Sequence, residues 1–467
     1  MPGKQNVAEW LDALKFNRFH AALIVLGGLA LMFDGYDFQI IAYIMPQVVK
    51  EWALTPVLAG QVASYGFVGL MLGATGLGML ADRIGRKKAL ILCLTIFTTF
   101  NGVAAFAHNF KIFCLLRFLS GIGMGGCQPI ALTLITEFLP SRIRVKSVAL
   151  LFAGFTGGFA VAGAVSMAVI PAFGWRAALF MGFVPILFIP FVIGFCPESV
   201  RFLAGKKRFT DTAREMRRVE KGAHVSPIDW SPETFSSIQS GTPAKSKFGD
   251  IFKGGLARMT VLMWASYFFS LFICISLELW LPSLMVKAGH SLVKSYSYGL
   301  VQGIGACIGG FVVGWFMDKF GRKAGLCTSF ALGGLAVWLF GIVTSNMALY
   351  VSGFVAGALL IGGQNALQAV VGEVYPTHIR GTGAGAAMTI GRIGAITASM
   401  VGGILVGVIG FSQYFFVISV PCFVMVGIVL LYRVNKGEAL EAIQQRLVGG
   451  TGKYAVSDVE LHTSTAE

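Results

Sequence analysis

Charge is what this chain has least of. Only 13% of its 467 residues are Asp, Glu, Lys or Arg, where soluble domains carry about 25%. So little ionisable surface excludes an ordinary soluble domain. Histidine is scarce: six residues, scattered at 20, 108, 224, 290, 378 and 462. They show neither metal-ligand spacing nor a nucleophile–base constellation, which argues against an enzyme and leaves no metal site. The eight cysteines all lie in apolar segments. Without a metal spacing or a secreted-type framework, they read as small packing residues. Period-two alternation is also missing. The apolar runs are about 20 residues long, which excludes a β-barrel. Acids are outnumbered by bases, 22 to 37, giving a net charge of +15. In a soluble protein that excess would suggest nucleic acid. Here it reads as topological charge, and no nucleic-acid partner is expected.

What remains is a set of long hydrophobic runs. Hydrophobic residues make up 55% of the chain and glycines number 60, which suits helices packed closely in lipid. Hydropathy predicts an all-α membrane protein with twelve transmembrane helices. The first six cover 18–46, 57–80, 88–107, 111–139, 146–171 and 176–196. The second six cover 258–286, 295–317, 325–343, 347–375, 382–408 and 411–433. The chain therefore divides into a first half, 1–196, a central loop, 197–257, a second half, 258–433, and a tail, 434–467. In the central loop, "AGKKRFTDTAREMRRVEKGAH" reads as a basic amphipathic helix at the membrane surface. The N-terminal stretch is amphipathic and lacks a small-residue cleavage site, so it is not expected to be a removed signal. Thirty of the 37 Lys and Arg fall on the N-terminal arm, the even-to-odd loops, the central loop and the tail; five fall on the opposite side. That bias places both termini in the cytoplasm.

The halves repeat. "GMLADRIGRKKAL" at 78–90 matches "GWFMDKFGRKAGL" at 314–326, aligning Asp82 with Asp318 and Arg86 with Arg322. "TEFLPSRIRVKS" at 136–147 matches "GEVYPTHIRGTG" at 372–383, aligning Glu137 with Glu373 and Arg144 with Arg380. Every pair keeps the same offset along the chain. Both halves start on the same side, so the repeat is parallel about the membrane normal, with a site expected between the halves near the midplane. These eight charged residues are candidate gating pairs: Asp82 with Arg86 or a neighbouring helix, Glu137 with Arg144, and Glu373 with Arg380. Static loop salt bridges are the alternative reading.

Within the spans, ionisable residues are few: Asp34, Asp37, Arg117, Arg392 and Glu278. A carboxylate at the centre of a membrane helix costs about 3 kcal/mol, so such residues are functional candidates. Asp34 and Asp37, in "LMFDGYDFQI", are three apart and share a helical face. Two close carboxylates in low dielectric do not both ionise cheaply, which suits a proton carrier. Arg117 in the fourth span is their expected counter-ion; a static Asp–Arg pin is the competing reading. Arg392, in "TIGRIGAI" of the eleventh span, is the cation suited to grip a substrate carboxylate. An internal pair with Glu278 is its alternative. Gln364 and Asn365 are candidate substrate contacts or helix–helix hydrogen bonds. Tyr36, Tyr267, Phe268 and Phe272 are candidate cavity walls or simple packing.

The loop pattern after the second span, its echo after the eighth, "RFLSGIGMGG" and "PESVRFL" resemble the major facilitator superfamily of transporters. The "DGYD" stretch resembles the signature of its aromatic acid:proton symporters, the benzoate and 4-hydroxybenzoate type. Arg117, Glu137, Arg380 and Arg392 fall where that branch also has important residues. The resemblance implies a proton-coupled symporter importing an aromatic carboxylate across a bacterial cytoplasmic (inner) membrane. It implies no cofactor beyond the proton gradient, and a functional monomer in the lipid bilayer. Asp34, Asp37 and Arg117 would couple the proton, and Arg392, Gln364, Asn365, Tyr36 and Tyr267 would bind the cargo. The alternatives are a proton-coupled importer or antiport exporter of another small organic anion, and a membrane sensor, for which a loop of about 60 residues is thin.

Overall fold

A computed structural model of the chain describes residues 7–223, 225, 228, 230, 234–235, 248–253, 256–376 and 379–432, except the side chains at 8, 145, 372 and 373. Among the described residues all regular structure is helical. Eleven stretches are long and apolar enough to cross a membrane. One of them, Ser141–Phe195, is two helices, because Gly174 adopts a left-handed, non-helical geometry (φ 78°, ψ 172°) within it. Twelve spans result. In the first half they are α1 (Arg18–Glu51), α2 (Pro56–Ile84), α3 (Arg86–Ala104), α4 (Phe110–Glu137), α5 (141–173) and α6 (175–195). In the second they are α7 (Leu256–Lys287), α8 (Leu292–Phe320), α9 (Arg322–Phe340), α10 (346–374), α11 (Arg380–Val408) and α12 (Phe411–Leu430).

Local chemistry sets the helix starts. Asn17 caps α1 by accepting from the Phe19 and His20 amides at 3.0 and 3.2 Å. Thr55 caps α2, with Pro56 in the first turn, and Asn109 and Ser291 cap α4 and α8. The repeat is visible in the backbone. Gly85 and Gly321 hold equivalent places in the two halves, and both take positive φ (105° and 97°) in the turn that reverses the chain. A side chain is strained there. Small residues then let the spans approach. A Cβ on Gly35 would strike the Phe155 carbonyl, so α1 and α5 touch backbone to backbone beside Asp34.

The halves meet along α2–α11, α5–α8 and α1–α7. The glycine-mediated approaches between them all lie toward the face away from the start of α1. Gly60 abuts Ser399, Gly403 abuts Pro56, and Gly163 abuts Leu300. Tyr43 and Tyr296 close the same region edge to face at 5.6 Å.

The central segment is more structured than a surface helix and a loop. Residues 209–223 do form an amphipathic helix, but its Met216 and Val219 are buried in the apolar cluster of the first half, with Trp230, Phe235 and Phe138. The helix Val7–Ala13 joins that cluster through Val7 and Leu11. Buried Glu220 accepts from the Trp230 indole at 2.7 Å, and Trp10 meets Trp230 edge to face at 5.2 Å. The amphipathic face is thus covered by protein of the first half.

Candidate functional site

Between the halves lies a cavity enclosing about 990 Å³ of empty space, its open mouth included. Its wall on the first half is aromatic. Phe38 is stacked on Phe159 at 5.7 Å and meets Phe67 and Phe155 edge to face at 5.6 and 5.8 Å. The second half contributes most of the polar groups: Arg392 from α11, Gln364, Asn365 and Gln368 from α10, and Tyr267 and Glu278 from α7; the first half adds Asp34, Gln128 and Thr156. α10 changes pitch just before this set. Gly357–Ile361 is a π-helical turn, and Gly362, against Gly309 of α8, brings the following residues to the cavity.

Asp34 is the acid that the first half presents to this cavity. It is 4% exposed, its Oδ1 is buried without a hydrogen-bond partner, and its electrostatic partner is Arg392. Arg392 in turn has Nη1 buried and unpartnered. An acid on one half and a cation on the other therefore confront each other across an apolar chamber without a closed salt bridge. Arg392 makes no ion pair with Glu278 among the described residues, although both line the cavity.

Asp37 is elsewhere. Three residues turn it about 60° from Asp34 around the helix, into the interior of the first half. There Asn101 of α3 donates to its Oδ1 at 2.5 Å. Arg117 of α4 donates to the Asn101 side-chain oxygen Oδ1 at 2.5 Å and reaches the Asp37 backbone oxygen at 3.4 Å. Arg117 is thus linked to Asp37 through Asn101, and neither aspartate forms a direct ion pair with it. Gly182 of α6 leaves the room that Asn101 needs. A smaller hollow in which Arg117 emerges is walled by Phe38, Phe67, Leu70 and Met124, which also line the main cavity. Sequence reasoning missed Asn101. Its signal was a lone amide in the apolar run "TTFNGVAAF".

The other binding candidates divide. Tyr267, Gln364 and Asn365 line the cavity, and Gln364 also accepts from Ser270 of α7, so it serves helix packing as well. Tyr36 does not line it: two residues from Asp34, it points the opposite way and donates to the Ala178 carbonyl of α6 at 2.7 Å. Phe268 and Phe272 stack on each other at 6.3 Å and are likewise absent from the wall.

The gating candidates pair differently from expectation. Arg86 meets Glu137 at 2.7 Å rather than Asp82, which is exposed. Glu137 also accepts from Ser199 Oγ at 2.6 Å and the Arg201 amide at 2.7 Å, while Glu198 accepts from the Lys87 amide at 3.0 Å. The "PES" segment therefore belongs to this network, a role its sequence did not announce. Arg144 turns from Glu137 to Asp12 at 3.6 Å and to the Leu139 carbonyl at 3.0 Å. Asp318 and Arg322 pair at 2.9 Å. Arg380 donates to the Tyr375 carbonyl at 3.5 Å, and the Glu373 side chain lies outside the described residues. The Glu137 carboxylate is 4% exposed. Glu137→Ala should therefore strand Arg86, partly relieved by water, and cost about 2–3 kcal/mol of stability. A lowered melting temperature of the purified protein in detergent would show it; an unchanged one would mean the network contributes nothing to stability.

The comparisons agree with this architecture. The sugar (and other) transporter family matches residues 21–447. The chain is 33% identical to the niacin transporter NiaP of Acinetobacter baylyi, over 93% of this chain and 98% of that protein. It is 32% identical to a gallate transporter of Pseudomonas putida (90% and 93% covered) and 31% identical to the 4-hydroxybenzoate transporter PcaK of Pseudomonas putida (93% and 97%). Among solved structures, the inward-open xylose transporter XylE of E. coli aligns with a TM-score of 0.74 at 16% identity, covering 91% of this chain and 99% of that one. The chain belongs to the sugar (and other) transporter family of the major facilitator superfamily, and is a multi-pass membrane transporter rather than an enzyme.

Proposed function

We propose that this protein is a proton-coupled symporter that imports an aromatic carboxylic acid by alternating access. One observation carries the reading: a phenylalanine-walled cavity between the halves in which Asp34 of α1 faces Arg392 of α11. The phenylalanines suit a ring, the guanidinium suits a carboxylate, and the acid suits a proton. The relatives support it. Niacin, gallate and 4-hydroxybenzoate, named for three of them, share an aromatic ring bearing a carboxylate.

In this reading the positive-charge bias puts the start of α1 in the cytoplasm. The glycine seams then close the outer face, and the cavity opens inward. The protein works as a monomer in a bacterial cytoplasmic membrane, driven by the proton gradient. Asp37, Asn101 and Arg117 form a second protonatable cluster behind the phenylalanine wall. The Arg86–Glu137 network and the Asp318–Arg322 pair brace the cytoplasmic ends of the two halves, and Asp82 is free to find a partner when that face closes.

The test is uptake. Liposomes containing the purified protein, with an inward proton gradient, should accumulate radiolabelled benzoate, 4-hydroxybenzoate or nicotinate, and a protonophore should collapse the accumulation. Absence of gradient-dependent uptake of every aromatic acid would end this proposal.

A further inference from the structure

Glu278 has no place in the scheme above. It is 5% exposed on α7, lines the cavity, and makes no hydrogen bond or ion pair among the described residues. Its side chain lies on the cavity stripe of α7, which runs Tyr267, Leu271, Cys274, Ile275, Glu278. A buried carboxylate facing an apolar chamber without a partner is costly to keep, so a ligand group that completes it is the natural complement.

Its height in the cavity says which group. α7 and α11 run side by side. Gly391, next to Arg392, abuts Tyr267 and Leu271, whereas Gly402 abuts Trp280. Gly394, on the other side of Arg392, abuts the Phe268 backbone, so Glu278 lies ten residues beyond the level of Arg392, about 15 Å farther along the axis, toward the region where Tyr43 and Tyr296 close the cavity. A single aromatic ring with a polar group at each end spans about 12 Å once its two hydrogen bonds, ~2.8 Å each, are counted, and the Glu278 side chain, which leans toward the start of α7, covers the remainder.

We infer that Glu278 is a specificity-determining residue that accepts a hydrogen bond from a donor at the ring position opposite the carboxylate held by Arg392. The transporter therefore prefers para-donor aromatic acids, such as a 4-hydroxybenzoate, to benzoate itself. This rests on the aromatic-carboxylate reading given above. The geometry also predicts failure for an ortho donor: in 2-hydroxybenzoate the hydroxyl lies beside the carboxylate and does not reach Glu278.

The experiment measures affinities of benzoate, 2-hydroxybenzoate and 4-hydroxybenzoate for purified wild type, Glu278→Gln and Glu278→Leu. The readout is the ratio of 4-hydroxybenzoate to benzoate affinity, which a partly misfolded sample does not distort because both ligands titrate the same folded fraction. The wild-type ratio should be about ten, as one buried hydrogen bond provides. It should fall at least several-fold in Glu278→Leu and less in Glu278→Gln, which keeps an acceptor. 2-Hydroxybenzoate should follow benzoate throughout. A wild type that binds both acids with a ratio near one, or variants that leave the ratio unchanged, would overturn the assignment of Glu278 alone. A wild type that binds none of the three would overturn it together with the functional reading.

Discussion

Arg392→Ala is expected to bind aromatic carboxylates at least a hundred-fold more weakly than wild type while remaining folded. Among the described residues Arg392 is the cation that lines the cavity, and its Nη1 has no protein partner. A bidentate, charge-assisted grip on a carboxylate is worth about 3 kcal/mol or more in a dry site, and about 1.4 kcal/mol is tenfold in affinity. Arg392→Lys should recover only part of the loss, since an ammonium is a point charge without the planar fork. Equilibrium binding of labelled 4-hydroxybenzoate or nicotinate to purified protein, beside a thermal melt, checks this. Unchanged affinity in the alanine variant would remove the carboxylate grip.

Asp34→Asn is expected to abolish uphill accumulation and leave counterflow intact. Asparagine has nearly the shape of the protonated acid but cannot release a proton. On the proposed reading, ionised Asp34 and the cargo carboxylate compete for the same guanidinium, and protonation of Asp34 frees Arg392 for cargo. That competition couples the two fluxes. With asparagine the guanidinium is always free, so substrate still exchanges across the membrane but no longer follows the proton gradient. Gradient-driven uptake and counterflow in the same liposomes separate the two. Loss of both would mean that Asp34 is needed for binding or folding; survival of accumulation would move the proton site elsewhere.

The fold was largely legible because its signals are periodic and repeated. Long apolar runs located the spans, and one constant offset tied Asp82 to Asp318 and Gly85 to Gly321. Partners across space were harder. Helical spacing puts Asp34 and Asp37 on one side of α1, but the angle between them decides which neighbour each meets. That depends on where α3, α6 and α11 stand. The same limit explains Tyr36, whose type suggested a cavity wall and whose direction ties it to α6. Arg86 chose Glu137 over Asp82 because α4 ends beside the start of α3, a tertiary fact that no single loop contains. The amphipathic helix 209–223 has the same sequence signature whether a bilayer or a protein covers its apolar face; here Phe138 and Trp230 do.

The seam between the halves also bears on how the transporter turns over. Gly60, Gly163 and Gly403 bring backbone against the opposite half, and the fully buried Tyr43–Tyr296 pair is a large side-chain contact across the same region. Where backbone meets backbone, parting the halves uncovers little apolar surface; in the proposed cycle the Tyr43–Tyr296 pair is a contact that opening this face must break. To carry a two-state population from 1:99 to 99:1 takes about 5.5 kcal/mol of differential binding. One proton at Asp34 and one carboxylate at Arg392, each favouring one arrangement by about 2–3 kcal/mol, can together supply that much.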